Sequence, residues 1–409
     1  MKNFLKRVLT CAVIIMCITL CSCTQSSGPY TVTFETNGGN EIESIIVEKD
    51  QLFELPTPIK EGMAFQGWYT DKKLNNIFDS ETPITKDITL YAKWGDGILI
   101  STFDELVNIK NDLSNKYLLA NDIDCKGIAL HSIGISVDAP FSGTFDGQGY
   151  TIYNYCFSEN DYMGLFGYNT GTIKNVIIKN LDINMKQSFS NNSLLYVGAI
   201  AGCNEGTIEN CVVMDSSISI TVPHNDWKSV TVHKTGLITG LNKGIVKNCF
   251  VTGTVNTSNK DLKVKEYPRS GGVTGENAGT IENCFVNVKS TCTGRKGSGM
   301  LYQEIGEAGG ISAVNEVDGV IKNCVVLGSI SSNFHCGDIC SRNSGVVENC
   351  YRSSLVSTKN FYYIHGVSMT NEELSNYNFY KYTLCWDENI WKYTDLNIDE
   401  SIYPQILFK

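Results

Sequence analysis

The chain has 409 residues, enough for two or three domains with a sizeable core. Composition is ordinary apart from 37 Gly, 20 Tyr and 8 Pro, and 19 % charged residues exclude a disordered polyelectrolyte. A formal charge of −10, with no run of Lys or Arg, excludes nucleic acid or anionic lipid as a partner held by surface charge.

The N-terminus has a short basic head (Lys2, Lys6, Arg7), an almost wholly apolar stretch from Val8 to Leu20, and then small residues. That order predicts a secretion signal, too short for a mature membrane span. Leu20-Cys21-Ser22-Cys23 resembles a lipobox, the processing signal of bacterial lipoproteins. The resemblance implies a signal peptide over 1–22, lipid on Cys23, and a lipidated tether over 23–28. The expected location is extracytoplasmic, anchored by lipid to the bacterial cell envelope and surface-exposed.

Residues 29–94 carry strand-like runs at Tyr30–Phe34, Ile42–Val47 and Ile88–Ala92, with the turn Asn37-Gly38-Gly39 after the first. Val32-Thr33-Phe34, Phe65-Gln66-Gly67-Trp68-Tyr69, Thr82-Pro83-Ile84 and Thr89-Leu90-Tyr91-Ala92-Lys93-Trp94 resemble the internalin B-repeat family. The resemblance implies a small β-grasp-like spacer module of bacterial surface proteins, sometimes adhesive. Trp68, Tyr69 and Trp94 fit the core of so small a module better than a carbohydrate platform.

Residues 97–356 open with a capping box at Thr102 and Glu105. An internal repeat follows, Asn-x-Gly-x-(Ile/Val)-x-Asn-(Cys/Val), with glycines at Gly171, Gly206, Gly244, Gly279, Gly319 and Gly345. Within each copy the apolar parity reverses at the second Asn, so the strand must bend there. The bend residues are Asn175, Asn210, Asn248, Asn283, Asn323 and Asn349. Stacked copies would form an inward column of Cys211, Cys249, Cys284, Cys324 and Cys350. The residue before the bend alternates in sign: Lys174, Glu209, Lys247, Glu282, Lys322, Glu348. Gly164-Leu165-Phe166-Gly167 and the repeat resemble the GLUG-motif family, which implies a right-handed parallel β-helix used in surface display or adhesion. The fold expected is therefore mainly β, a small module and then a solenoid with short helical end caps.

Residues 357–409 carry a second capping box, Thr370 with Glu373, opening a helix through about Tyr382, and aromatic strand pieces. They are expected to cap the open end of the solenoid. The insertions between coils, near 185–195, 221–234, 256–270 and 291–308, fall at one repeat position. They carry Phe189, His224, Trp227, Tyr267, Arg269 and Tyr302, residue types that anchor interfaces, and so form the candidate partner-binding loops.

Catalytic chemistry has little footing. Five His include no H-E-x-x-H, so a zinc protease is absent, and no G-x-S-x-G or P-loop is present. His335, Cys336 and Cys340 lack a second ligand pair for zinc. Asp124, Asp138 and Asp146 are the carboxylates open to a polysaccharide lyase-like or carbohydrate-binding β-helix, the rival reading. The sequence thus predicts a non-enzymatic, monomeric display or adhesion protein without cofactor or metal. Its partners would be the membrane, through the lipid, and a host protein or glycan; nucleic acid is not among them.

Overall fold

The computed structural model describes residues 28–49, 51–60, 62–79, 82–157, 161–186, 194–222, 232–259, 268–294, 306–359 and 362–408. The chain divides into two compact units, 1–96 and 97–409.

The first unit is one four-stranded sheet of β1 (Tyr30–Glu35), β2 (Ile45–Val47), β3 (Met63–Tyr69) and β4 (Ile88–Asp96), in the order β2-β1-β4-β3. β1 and β4 are parallel and the other two pairings antiparallel. Strict alternation along β1 buries Tyr30, Val32 and Phe34. Trp68 packs on Phe34 at 4.8 Å between ring centroids and donates its indole N–H to the Pro56 carbonyl at 2.8 Å. Trp94 donates to the Thr36 carbonyl at 2.8 Å. Both indoles are therefore core members whose polar edge is satisfied, not a platform for sugar rings.

The second unit is a parallel β-helix. Helix α1 (Phe103–Asn108) begins at the capping box: Thr102 Oγ1 accepts from the Glu105 N–H at 3.2 Å, and Glu105 Oε2 accepts from the Thr102 N–H at 3.1 Å. Leu106 and Ile109 then enter the solenoid core. Each of the six coils that carry the repeat visits four sheets. The third coil shows the pattern: Val232–Gly236, Thr239–Asn242, Ile245–Lys247 and Phe250–Asn259 lie in the seven-, six-, nine- and eleven-stranded sheets. In the nine-stranded sheet the strands pair in parallel with unbroken register, so that Lys174, Glu209, Lys247, Glu282, Lys322 and Glu348 are successive neighbours.

The repeat motif follows from close stacking. A Cβ on Gly206 would overlap the carbonyl oxygen of Gly171 on the coil before, and one on Gly244 that of Gly206. The bend asparagines all take the left-handed conformation, with φ between 49° and 55°. Inside, His233, Thr235, Thr257, Ser270 and Ser290 make the core locally polar, and the Ser270 and Ser290 hydroxyls meet at 3.1 Å. Burial holds the His233 imidazole down to about 3, in its neutral form.

The C-terminal residues do not lie where the sequence suggested. Helix α2 (Asn371–Leu374) is a single turn, followed by a π-turn at Phe379–Thr383. The chain then runs back along the outer face of the eleven-stranded sheet and packs across Tyr351, Val325, Phe285, Phe250 and Val212. Asn349 Nδ2 donates to the Thr383 carbonyl at 3.2 Å, Trp386 Nε1 to Asn323 O at 3.2 Å, and Asn287 Nδ2 to Tyr403 Oη at 2.9 Å. Phe408 ends against Gly149. The reason is the outward row of large apolar side chains on that sheet, which needs covering more than the end of the solenoid does.

Two outcomes test this architecture. Replacing Asn248 by Ala should cost about 2–4 kcal/mol, since it forces a Cβ residue into the left-handed region and removes two amide hydrogen bonds. Asn248→Gly should cost less, because it keeps the backbone. Equal denaturant midpoints for wild type and Asn248→Ala would contradict the assignment. The second concerns pH. The unfolded chain protonates His233 below about 6.5, whereas the folded chain refuses the proton down to about 3. Stability present above pH 6.5 is therefore lost as pH falls, at up to roughly 1.4 kcal/mol per unit. The wild-type melting temperature should drop more steeply from pH 7 to 5 than that of His233→Gln; parallel curves would contradict it.

Candidate functional site

Of the predicted site residues, Cys23, Phe189, His224, Trp227, Tyr267 and Tyr302 lie outside the described residues. Arg269 lies in the strand Arg269–Gly271 and is buried, not on a loop. The described strands run into the segments that the sequence marks as insertions, ending at Lys186, Val222, Asn259 and Thr293; residues 187–193, 223–231, 260–267 and 295–305 lie outside the described residues. The strand before each of these segments belongs to the eleven-stranded sheet and the strand after it to the seven-stranded sheet.

Arg269 belongs to a chain of buried ion pairs. Lys234, Arg269 and Glu307 are register neighbours on the seven-stranded sheet; Glu276 and Arg342 lie on the six-stranded sheet. Lys234 Nζ reaches Glu276 Oε2 at 2.8 Å, and Arg269 Nη1 bonds the same oxygen. Arg269 Nε meets Glu307 Oε2 at 3.1 Å, and Arg342 Nε approaches Glu307 Oε1 at 3.6 Å. The side-by-side cations Lys234 and Arg269 would repel if alone; Glu276 crosses from the facing sheet to sit between them. Breaking one member leaves an uncompensated buried charge, which makes the group rigid rather than reactive. Toward the first coils the same two columns turn aromatic. Tyr162 stacks on Tyr196 at 5.3 Å and meets Tyr168 at 5.2 Å, and Lys234 Nζ lies 5.2 Å from the Tyr196 ring centre. Sequence reasoning missed these columns. The available clue is the position two residues before the turn glycine: Tyr162, Tyr196, Lys234, Arg269, Glu307 and His335.

The ladder residues are brought together. Each bend Asn donates its Nδ2 to the Oδ1 of the bend Asn one coil earlier, at 2.7–3.3 Å, and Asn175 donates to Asp146 Oδ1 at 3.0 Å. A second ladder, Asn169-Asn204-Asn242-Asn277-Asn315-Asn343, uses the first Asn of the motif and runs the opposite way: each Nδ2 donates to the next coil at 2.8–2.9 Å. Cys211, Cys249, Cys284, Cys324 and Cys350 are free thiols buried between them, each donating to the carbonyl two residues back at 3.2–3.3 Å. Burial pushes the Cys211 and Cys284 thiols up, which keeps these two neutral and unreactive.

Of the three carboxylates open to acid–base chemistry, Asp138 is exposed, and Asp146 and Asp124 are engaged in structure. Asp146 accepts from Gln148 N–H and Asn175 Nδ2 and pairs with Lys174 at 3.5 Å. Asp124 accepts from Lys126 N–H and Asn154 Nδ2, and the Lys126 amide is the main cause of its lowered pKa. Cys340 Sγ lies 3.7 Å from His365 Nδ1, and the described residues contain no cluster of three metal-ligating side chains. In the first unit a depression of about 270 Å³ is lined by Thr70, Ile77, Pro83 and Lys86 among others, and includes none of the predicted site residues.

Residues 30–93 match the Listeria-Bacteroides repeat domain family. Two relatives come from Evansella cellulosilytica. One, named "Putative membrane protein", is 46 % identical over 77 residues, which is 18 % of this chain and 12 % of the relative. The other, named "Putative Gly-rich membrane protein", is 48 % identical over 67 residues, 16 % of this chain and 8 % of the relative. The chain thus aligns with about a tenth of the length of these curated relatives. The first module is similar to a bacterial surface repeat; the second unit is a parallel β-helix.

Proposed function

We propose that this chain is a non-enzymatic display protein of the bacterial surface, held to the envelope by lipid on Cys23. The first module spaces it from the membrane, and the GLUG-like β-helix presents a binding flank to a host or neighbouring-cell protein or glycan. The observation that carries this reading is the surface-repeat match over residues 30–93, placed ahead of a long rigid solenoid. The names of the two relatives support envelope association. The carboxylate chemistry supports a binding role: Glu276 and Glu307 are gripped by cations, and Asp146 is saturated by donors. A glycosidase-like site needs two carboxyl groups free to exchange protons. The residues chosen for binding are Phe189, His224, Trp227, Tyr267 and Tyr302, types that anchor interfaces and that the sequence carries at one recurring position of the repeat.

Two experiments test the two halves of the proposal. Wild-type protein should partition into the detergent phase, and Cys23→Ala should remain unprocessed or leave the membrane; wild type in the aqueous phase would sink the anchor. For binding, the full chain is screened against arrays of glycans and host proteins. Replacing 223–231 and 295–305 with short Gly-Ser links should abolish adhesion while the β-rich circular dichroism spectrum persists. Adhesion that survives both replacements and disappears on removal of residues 29–94 would move the activity to the first module. Turnover of a polysaccharide by the purified chain would establish the rival, enzymatic reading.

A further inference from the structure

We propose that the last coil is a docking edge for a β-strand of a partner protein, with an apolar residue of that strand over Val347 and a lysine or arginine beside Glu348. The inference is independent of the lipid anchor and of the loop flank.

The first observation is an incomplete coil. After coil six the chain returns to add Tyr362–Tyr363 to the seven-stranded sheet and Val367–Met369 to the eleven-stranded sheet. Only Ile364, His365 and Gly366 lie between them, so this last turn bypasses the other two sheets. Cys340–Asn343 and Val346–Glu348 are therefore the terminal strands of the six- and nine-stranded sheets. The C-terminal chain touches Asn349 and moves away along the outer face without pairing with either strand. Within coil six, Val346 N–H donates to Gly319 O, and Glu348 O accepts from Asn323 N–H. Alternation in a parallel ladder then turns the N–H and C=O of Val347 toward the open side. Val346 is 49 % exposed and Val347 half-buried, so the edge offers both main-chain groups and an apolar floor.

The second observation is the charge row. Its ion pairs take the residues two at a time: Lys174 with Asp146 at 3.5 Å, Lys247 with Glu209 at 2.9 Å, and Lys322 with Glu282 at 2.8 Å. Glu348 ends the row, exposed, on the terminal strand; its neighbour Lys322 is bonded to Glu282, and no ion pair within 4 Å reaches Glu348 among the described residues. The third is the inner amide ladder. Asn204, Asn242, Asn277 and Asn315 each donate Nδ2 to the next Asn and also to a carbonyl of the next coil: Ile245, Thr280, Val320 and Val346. Asn343 is exposed at the end of the ladder, where a following coil would supply both acceptors. The edge thus reads as a template for Asn-x-Gly-x-(Ile/Val)-Lys.

The occupant is a different protein rather than a second copy. The Lys-bearing strands of this chain, ending at Lys174, Lys247 and Lys322, are paired on both sides within their own sheet. Two copies meeting edge to edge would bring two Glu348 carboxylates within a Debye length, like against like.

The probe is a fluorescent peptide, Asn-Lys-Gly-Ile-Val-Lys-Asn, the sequence of residues 242–248, titrated against the full chain by anisotropy. It should bind, and changing its second lysine to Glu should weaken binding about five- to tenfold. Glu348→Lys in the protein should reverse that preference, and Val347→Pro should abolish binding of both peptides. Since proline can also perturb the coil, the charge reversal at the exposed Glu348 decides the case. No binding, equal binding of the two peptides, or an unchanged preference in Glu348→Lys would overturn the proposal. So would a concentration-dependent dimer of the full chain that the lysine peptide fails to dissociate.

Discussion

Everything in the solenoid depends on one constraint: each coil must sit directly on the last and still turn its corners with the backbone paired from coil to coil. The turn glycines permit the approach, because a side chain there would strike the carbonyl of the coil below. Approach alone is not enough, because the chain must also turn sharply between the nine- and eleven-stranded sheets in each coil without losing backbone bonds. The bend asparagines resolve both demands at once. They tolerate the left-handed turn while their own N–H groups stay bonded to the next coil, and their side chains add an amide column along the corner. The apolar and thiol interior and the surface charge row are then both placed by stacking.

Two mixed-charge columns result, and they differ in kind. The Lys/Glu row is exposed enough for salt to screen it, so its main effect is on register, not on stability. The Lys234, Glu276, Arg269, Glu307 group is buried, and its members balance only as a set. A charge lost from the first is tolerable; a charge lost from the second is left in a low-dielectric site without its counterpart.

The repeat, the bend, the cysteine column and the alternating signs were legible because each rests on a short local pattern that recurs. Asn248 and Cys249 reveal their roles by standing where Asn210 and Cys211 stand one coil earlier. The buried ion group was not legible, because Lys234, Arg269 and Glu307 share a position but not a residue type, and Glu276 comes from another sheet. Arg269 looked like a loop anchor for the same reason: nothing local indicates that two carboxylates await it. The path of residues 371–408 also escaped. The outward side chains it covers, Val212, Phe250 and Phe285, look in sequence like ordinary members of buried strands.

That path has a mechanical consequence. A stack whose units touch only their neighbours can unravel one unit at a time from a free end. Here the final segment is laid back over the stack, so that Trp386 is bonded to coil five, Tyr403 to coil four, and Phe408 rests against Gly149 ahead of coil one. Loosening the last coil also lifts the segment that spans the others. Under a pull applied at the C-terminus, the segment would peel first, from Phe408 toward Leu374, before any coil carried the load. The early coils are thereby coupled to the late ones, and an array built from near-identical units acquires the all-or-none behaviour of a single globule.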